Sequence, residues 1–148
     1  MPTIQIRGFN HHYEWITASG NPEPSGKPVL VFVHGWGGSA RYWESTAQAL
    51  SDAFDCLLYD MRGFGRSSVL PTDIWDSPGY ELATYAEDLA ILLDQLGIER
   101  VFLNAHSAGA SIAVLFLNLY GDRVDRAILT CNGIFEYDEK AFQAFHQF

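Results

Sequence analysis

The stretch NAHSAGA, at residues 104–110, places a serine where one apolar segment ends and another begins. A sharp strand-to-helix turn at this point strains the backbone of its central residue, and bulky side chains two positions away would clash. Ala105 and Gly109 occupy those two positions. The hydroxyl of Ser107 would then stand at a helix N-terminus, where the N–H of Ala108 is free and negative charge is favoured. We predict that Ser107 is a nucleophile, the alternative being an ordinary helix N-cap.

A glycine-rich segment, HGWGGSA at residues 34–40, follows the apolar run VLVFV. Gly35-x-Gly37-x-x-Ala40, with Asp60 twenty positions further on, matches the fingerprint of a dinucleotide-binding loop. In such a loop the glycines let the backbone approach a pyrophosphate, and the carboxylate binds a ribose hydroxyl. A dinucleotide-binding domain does not require a serine such as Ser107 at the end of the following strand, VFLNAH. Dinucleotide binding therefore stays the less favoured alternative.

A nucleophilic serine needs a base within hydrogen-bond reach, and that base needs an orienting carboxylate. Five histidines are present. His106 directly precedes Ser107 and is expected to point the other way, while His34 opens the glycine loop and is expected to be structural. His146 would reach the serine only by an unusual path. In HHYE, at residues 11–14, adjacent histidines would point to opposite faces of a strand, so we predict a hairpin surface and no metal site.

The composition limits the classes of partner. The 148 residues carry a net charge of −9 and are 48% hydrophobic, as expected for one globular domain. An acidic surface disfavours nucleic acid and anionic membranes. The sequence shows no signal peptide and no apolar run long enough to span a bilayer. Cys56 and Cys131 fall in predicted buried strands, so we predict free thiols in a reducing cytoplasm.

Strands and helices alternate along the chain to position these groups. TIQIRG and YEWITASG predict a hairpin, and four apolar runs predict buried strands: VLVFVH, FDCLLYD, VFLNAH and RAILTCN. Helices are predicted at residues 39–52, at residues 81–97 and from about Ala108, with residues 61–80 as an irregular loop. One face of the first helix would hold Tyr42, Thr46, Ala49 and Leu50. We predict an α/β fold, a mostly parallel sheet with helices on both faces.

Three of these segments together resemble the α/β-hydrolase family. VLVFVHGWGG is similar to the family's third strand and His-Gly oxyanion loop. LLYDMRGFGRSS is similar to its Asp-x-Arg-Gly-x-Gly-x-Ser loop, and NAHSAGA to its nucleophile elbow, with alanine where glycine is commonest. The agreement extends over about residues 2–132. It implies that the strands before the oxyanion loop and the elbow are neighbours, so the N–H groups of Trp36 and Ala108 form an oxyanion hole beside Ser107.

For the complete enzyme, the resemblance implies hydrolysis of a small or medium ester, lactone or related acyl compound, without cofactor or metal. The residues expected to line the substrate pocket are His34, Gly35, Phe64 and Trp75. In this family the loop that holds Asp60 and Arg62 mainly shapes the site, so these two are expected to form an ion pair that fixes the loop. The alternative from another class is a non-catalytic module of the same fold that binds a small acyl ligand.

The family places its acid and histidine after the sixth strand, which RAILTCN resembles. Residues 1–132 therefore correspond to the N-terminal part of a core domain truncated after about that strand, and residues 133–148 to the start of a cap. Glu136 or Asp138 is a candidate acid, no base is expected, and the chain alone is predicted to be inactive. Its exposed edge would favour self-association or a complementing C-terminal fragment. The family's strand order sets the two cysteines roughly 14 Å apart, too far for a disulfide.

Overall fold

The computed structural model describes residues 2–69, 79–132, 139, 140 and 143. Its strands are β1 (Thr3–Ile6), β2 (Phe9–Ile16), β3 (Val29–Val33), β4 (Asp55–Tyr59), β5 (Ser68–Val69), β6 (Val101–His106) and β7 (Val124–Thr130). Its helices are α1 (Glu44–Leu50), α2 (Leu82–Gln95) and α3 (Ala108–Tyr120), with 3₁₀ turns at Ala40–Trp43 and Gly121–Arg123. None of the described helices is long and apolar enough to cross a bilayer.

The strands form one mixed sheet in the order β1-β2-β4-β3-β6-β7, with β5 pairing to β2. β4, β3, β6 and β7 are parallel, whereas β2 is antiparallel to β1, β4 and β5. The turn between β1 and β2 has φ +48° at Arg7 and +85° at Gly8, as two-residue hairpins require. The predicted hairpin forms, but its turn lies at Arg7 and Gly8, and FNHH, which the prediction leaves between the two strands, is the start of β2. The parallel centre and the pairing of β3 with β6 are confirmed. The loop prediction for residues 61–80 is wrong at residues 68–69, which form β5.

Apolar side chains of the parallel strands alternate between the two faces of the sheet. Val31 and Val33 pack in the core beneath α2 and α3, whereas Leu30 and Phe32 pack beneath α1 and the preceding 3₁₀ turn. Helices therefore cover both faces, as predicted. In the parallel register Val33 pairs with Ala105, so the segments that follow β3 and β6 leave the same edge of the sheet side by side.

The helix predicted over residues 39–52 buries a different face from the one expected. Tyr42 is 59% exposed and Leu50 is also exposed, whereas Ala40, Trp43 and Ala47 are buried. The physical reason is the first turn, which is a 3₁₀ helix with three residues per turn and so aligns Ala40 with Trp43. A continuous α-helical period misassigns this face.

β7 lies at one edge of the described sheet, and each of its residues is half-buried or exposed. The prediction of a strand buried on both faces is wrong here, because β7 has a described neighbour only in β6. Both cysteines are free, as predicted, but only Cys56 is buried. Cys131 is exposed because β7 ends at Thr130, one residue before it.

Candidate active site

Ser107 is the single residue between the end of β6 and the start of α3. Its backbone has φ 55° and ψ −124°, and a positive φ is uncommon for a residue with a side chain. Its N–H donates to the carbonyl of Thr130 at 2.9 Å, and its own carbonyl accepts from the N–H of Ala110 at 2.9 Å. The side chain is exposed and makes no capping hydrogen bond to α3. The alternative of an ordinary N-cap is therefore wrong.

Gly109 lets the first turn of α3 approach the end of β3. A Cβ at this position would overlap the carbonyl oxygen of His34 and lie 2.7 Å from that of Val33. The crowding that Gly109 relieves is therefore with the backbone of the neighbouring strand. Ala105, on the other side of Ser107, is fully buried in the core.

His34 begins the glycine loop and is fully buried. Its Nε2 accepts a hydrogen bond from the N–H of Met61 at 3.0 Å, so the ring proton lies on Nδ1 and is donated to the carbonyl of Gly35 at 2.8 Å. Burial lowers the pKa of His34, and the hydrogen bond to Gly35 offsets this only in part. The prediction that His34 lines the pocket is wrong. His34 is structural, and its two ring hydrogen bonds connect the glycine loop to Met61.

Residues 35–38 form a tight turn in which the N–H of Gly38 donates to the carbonyl of Gly35 at 3.1 Å. Gly37 has φ +70°, a conformation that strains any residue with a side chain. The turn projects the side chain of Trp36 outward, where it is 69% exposed. The inner surface of the turn is therefore made of backbone.

The glycine turn packs directly against the serine. A Cβ on Gly35 would lie 3.3 Å from the Cβ of Ser107. Within residues 2–69 and 79–132, neither the N–H of Trp36 nor that of Ala108 donates a hydrogen bond. Trp36 directly follows Gly35, and Ala108 directly follows Ser107. Two backbone N–H donors are therefore available next to the Ser107 hydroxyl.

A pocket of about 180 Å³ lies beside the serine, lined by residues 35–38, Tyr42, His106 and Ser107. His106 directly precedes the serine and is expected to point away from the site. That prediction is wrong, because His106 lines the pocket. Its ring stacks on that of Tyr42, with centroids 5.4 Å apart and planes 21° apart. The predicted helical pattern only groups Tyr42 with Thr46, Ala49 and Leu50 on one face, and that grouping gives no sign of a position in the pocket.

Phe64 does not line this pocket but supports it from outside. Its ring centroid lies 4.8 Å from that of Trp36 and 5.8 Å from that of His34. The remaining residues considered for the pocket or the triad lie outside the described residues: Trp75, Glu136, Asp138 and His146.

Asp60, directly after β4, is fully buried. Its carboxylate accepts hydrogen bonds from the N–H of Ala40 at 2.6 Å and from the N–H and Nε of Arg66 at 2.7 and 3.1 Å. Burial by itself would raise the pKa of Asp60, but these hydrogen bonds outweigh it and lower the pKa. A Cβ on Gly65 would lie 2.6 Å from the carboxyl carbon, so the loop closes over the group. Asp60 has no room for a ribose hydroxyl, and the dinucleotide interpretation is wrong.

Arg62 forms its ion pair with Asp88 of α2. Its Nε and one terminal nitrogen donate to the two carboxylate oxygens at 2.6 and 2.7 Å, and both side chains are buried. The guanidinium carbon also lies 4.6 Å from the ring centroid of Phe9. The predicted pair of Asp60 with Arg62 is therefore wrong. No sequence pattern indicates this role for Asp88, because Asp88 lies on the apolar face of α2, three residues after the buried Tyr85.

His11 and His12 are both buried, because β2 lies between β1 and β4 within the sheet. The prediction of a surface position is wrong, although the two rings do face opposite sides. His11 Nε2 lies 3.6 Å from a carboxylate oxygen of Asp88. The backbone N–H of His12 donates to the Ser67 hydroxyl at 3.0 Å. No cluster of three or more potential ligands among the described residues could hold a metal ion.

Comparison with known proteins gives one consistent family. Residues 28–148 match the family model of the alpha/beta hydrolase fold. The chain is 37% identical over 106 residues to the non-heme chloroperoxidase CPO-A1 of Kitasatospora aureofaciens, a match covering 70% of this chain and 36% of that protein. It is 32% identical over 108 residues to the bifunctional esterase/perhydrolase DCH of Acinetobacter calcoaceticus, covering 72% and 37%.

Solved structures agree with this family. A hydrolase from Pseudomonas aeruginosa PA01 superposes with a TM-score of 0.73 at 28% identity, over 90% of this chain and 47% of that one. An α/β hydrolase enzyme from a Medee basin deep-sea metagenome library superposes with a TM-score of 0.73 at 25% identity, over 86% and 43%. The chain spans less than half the length of each of these relatives.

Proposed function

Because the chain belongs to the α/β-hydrolase fold family, we propose that it is the N-terminal part of a serine hydrolase acting on a small or medium ester, lactone or related acyl compound. The observation that carries the proposal is Ser107 itself, with its positive φ, exposed hydroxyl and unused capping position. Such backbone strain persists where the surrounding structure imposes it, and it clusters at active sites. Serine at this position argues against the epoxide hydrolases and dehalogenases, whose nucleophile is a carboxylate.

In the proposed reaction, Ser107 Oγ forms a bond to the acyl carbon and gives its proton to a base. The acyl oxygen takes the electron pair, and the N–H groups of Trp36 and Ala108 hold the negative charge. The alcohol then leaves with a proton, and water releases the acid from the acyl-enzyme and restores the hydroxyl. No cofactor or metal enters this scheme.

The base and its acid are proposed to come from the longer protein of which residues 1–132 form part of the core and 133–148 begin a cap. Within the described residues, the ring nitrogens of His34 are both engaged, and His106 makes no hydrogen bond with the Ser107 hydroxyl. Glu136 and Asp138 remain candidates for the acid. Catalysis without a complete triad retains only roughly 10³–10⁴-fold over water, so this chain alone is expected to be nearly inactive.

The partner proposed for this chain is a small acyl compound, with neither nucleic acid nor membrane. The net charge of −9 disfavours both anionic surfaces. Two free cysteines are typical of a reducing compartment, and we place the protein in the cytoplasm.

Labelling with a fluorophosphonate tests the nucleophile without needing turnover. We expect slow modification, located at Ser107 by peptide mass spectrometry and abolished by Ser107→Ala. Ser111→Ala, on the same helix but outside the pocket, is the matched control and should label normally. Labelling that survives Ser107→Ala would overturn the nucleophile. Brisk ester turnover by this chain, stopped by His146→Ala, would overturn the missing base.

A further inference from the structure

One wall of the pocket beside Ser107 is a fixed set of aromatic rings. Tyr42 and His106 stack on each other, and both contact Trp43 edge-on, with centroids 4.9 and 6.4 Å away. Trp43 is buried and packs on Phe32 of the sheet at 5.3 Å. The wall is therefore anchored in the core before any ligand binds, which lowers the conformational entropy that these side chains lose when a ligand binds.

The opposite wall is peptide backbone. The turn at residues 35–38 contributes three glycines to the lining, and the one side chain it carries, Trp36, is a further aromatic ring. Among the residues that the structure describes, the pocket lining includes no Asp, Glu, Lys or Arg. A charged group on the ligand would therefore meet no oppositely charged side chain among these residues. The pocket is thus suited to an uncharged, flat group.

The volume sets the size of that group. An apolar cavity of about 150 Å³ holds one benzene molecule, and this pocket measures about 180 Å³. We propose that the pocket binds a single aromatic ring carried by the acyl substrate, so that the substrate class is an aryl ester or aryl-acyl compound. This inference rests on the proposed function for its substrate, but the ring site itself can be tested without it.

The test separates ring binding from nucleophilic chemistry. Binding of benzamide and of cyclohexanecarboxamide to the Ser107→Ala chain is followed through the NMR shifts of the His106 ring. The two probes match in size and differ in flatness. Offset or edge-to-face ring contacts predict a preference for benzamide of roughly two- to tenfold in Kd.

Two variants locate the preference. Tyr42→Phe keeps the ring and should keep the preference, whereas Tyr42→Leu keeps apolar volume and should lose it. Tyr42 is largely exposed, so both variants are expected to fold, which far-UV circular dichroism checks. Equal Kd values for the two amides, or a preference unchanged in Tyr42→Leu, would overturn the aromatic site. A benzamide preference together with no fluorophosphonate labelling of the unmodified chain would overturn the proposed function alone.

Discussion

A Cβ on Gly109 would lie 2.7 Å from the carbonyl oxygen of Val33, closer than real Cβ atoms come to such an atom. This contact joins the first turn of α3, which begins directly after Ser107, to the strand that leads into the glycine turn. The distance between the serine and residues 35–38 therefore depends on the missing side chain at position 109.

We expect Gly109→Ala to lower the free energy of unfolding by about 1–3 kcal/mol, as overpacking does, and to slow the labelling of Ser107. Gly121→Ala is the matched control, since Gly121 has φ −62° and an added Cβ would meet no atom within 4 Å. It should be neutral or slightly stabilising. Urea unfolding and labelling rates measure both effects, and equal results for the two variants would contradict the close approach.

The buried pair of Arg62 and Asp88 predicts a large stability effect. Asp88→Ala leaves the Arg62 charge without its main partner in the core, which typically costs about 3–5 kcal/mol. Asp94 lies on the same helix as Asp88, and Asp94→Ala removes an exposed carboxylate that pairs with Arg123. This variant should cost less than about 1 kcal/mol. Chemical denaturation compares the two. A loss for Asp88→Ala no larger than for Asp94→Ala would show that the pair contributes little.

The sequence predicts structure correctly where a local residue pattern alone determines burial or backbone conformation. The apolar runs of β3, β4 and β6 are buried on both faces, and the small residues around Ser107 mark the turn correctly. Prediction fails where tertiary partners decide. Arg66, and not Arg62, reaches Asp60 because the loop folds back over the carboxylate, and no local pattern indicates that closure.

The exposure of β7 and the position of Tyr42 in the pocket wall are mispredicted for related reasons. Strand β7 has the composition of a buried strand, yet half of it is exposed because burial depends on a neighbour that composition does not reveal. Tyr42 is grouped on one helix face with Thr46, Ala49 and Leu50 by a helical period that a single 3₁₀ turn shifts. The burial of β7 depends on its neighbouring segments, and the exposure of Tyr42 depends on the type of helical turn. Residue types alone determine neither.

The two cysteines should differ in reactivity. Cys131 is exposed, whereas burial raises the pKa of the Cys56 thiol to about 11. We expect a thiol reagent to modify one cysteine in the folded chain and both after denaturation, with the first reaction lost in Cys131→Ser. Absorbance of the released chromophore counts the thiols. Finding none after denaturation would indicate a disulfide and contradict the strand order.

His34 should make stability depend on pH. Burial lowers its pKa in the folded state, so the unfolded chain takes up a proton that the folded chain resists. The stabilisation is therefore full above the ordinary histidine pKa of about 6.5 and is lost as pH falls below it. His34→Gln, which cannot titrate, should lose less unfolding free energy between pH 7 and 5.

Other titrating groups do not obscure this comparison. Burial also lowers the pKa of His12, but that residue is present in both proteins. The lowered pKa of Asp60 affects stability only below its ordinary value, in more acidic solution. Urea unfolding at several pH values gives the two curves, and parallel curves would show that His34 is not held neutral by burial.

The edge strand β7 predicts self-association. Its outer backbone groups face no other strand among the described residues, and Ile128 on it is 62% exposed. Open apolar edges pair with other chains, and a lysine on the edge opposes this. We expect the chain to dimerise or aggregate as its concentration rises in sedimentation experiments, and Ile128→Lys to shift it toward monomer. Leu119→Lys, a similarly exposed position on α3, should leave the association unchanged. A monomer at high concentration would contradict the prediction, and an equal effect of Leu119→Lys would place the contact on the helices.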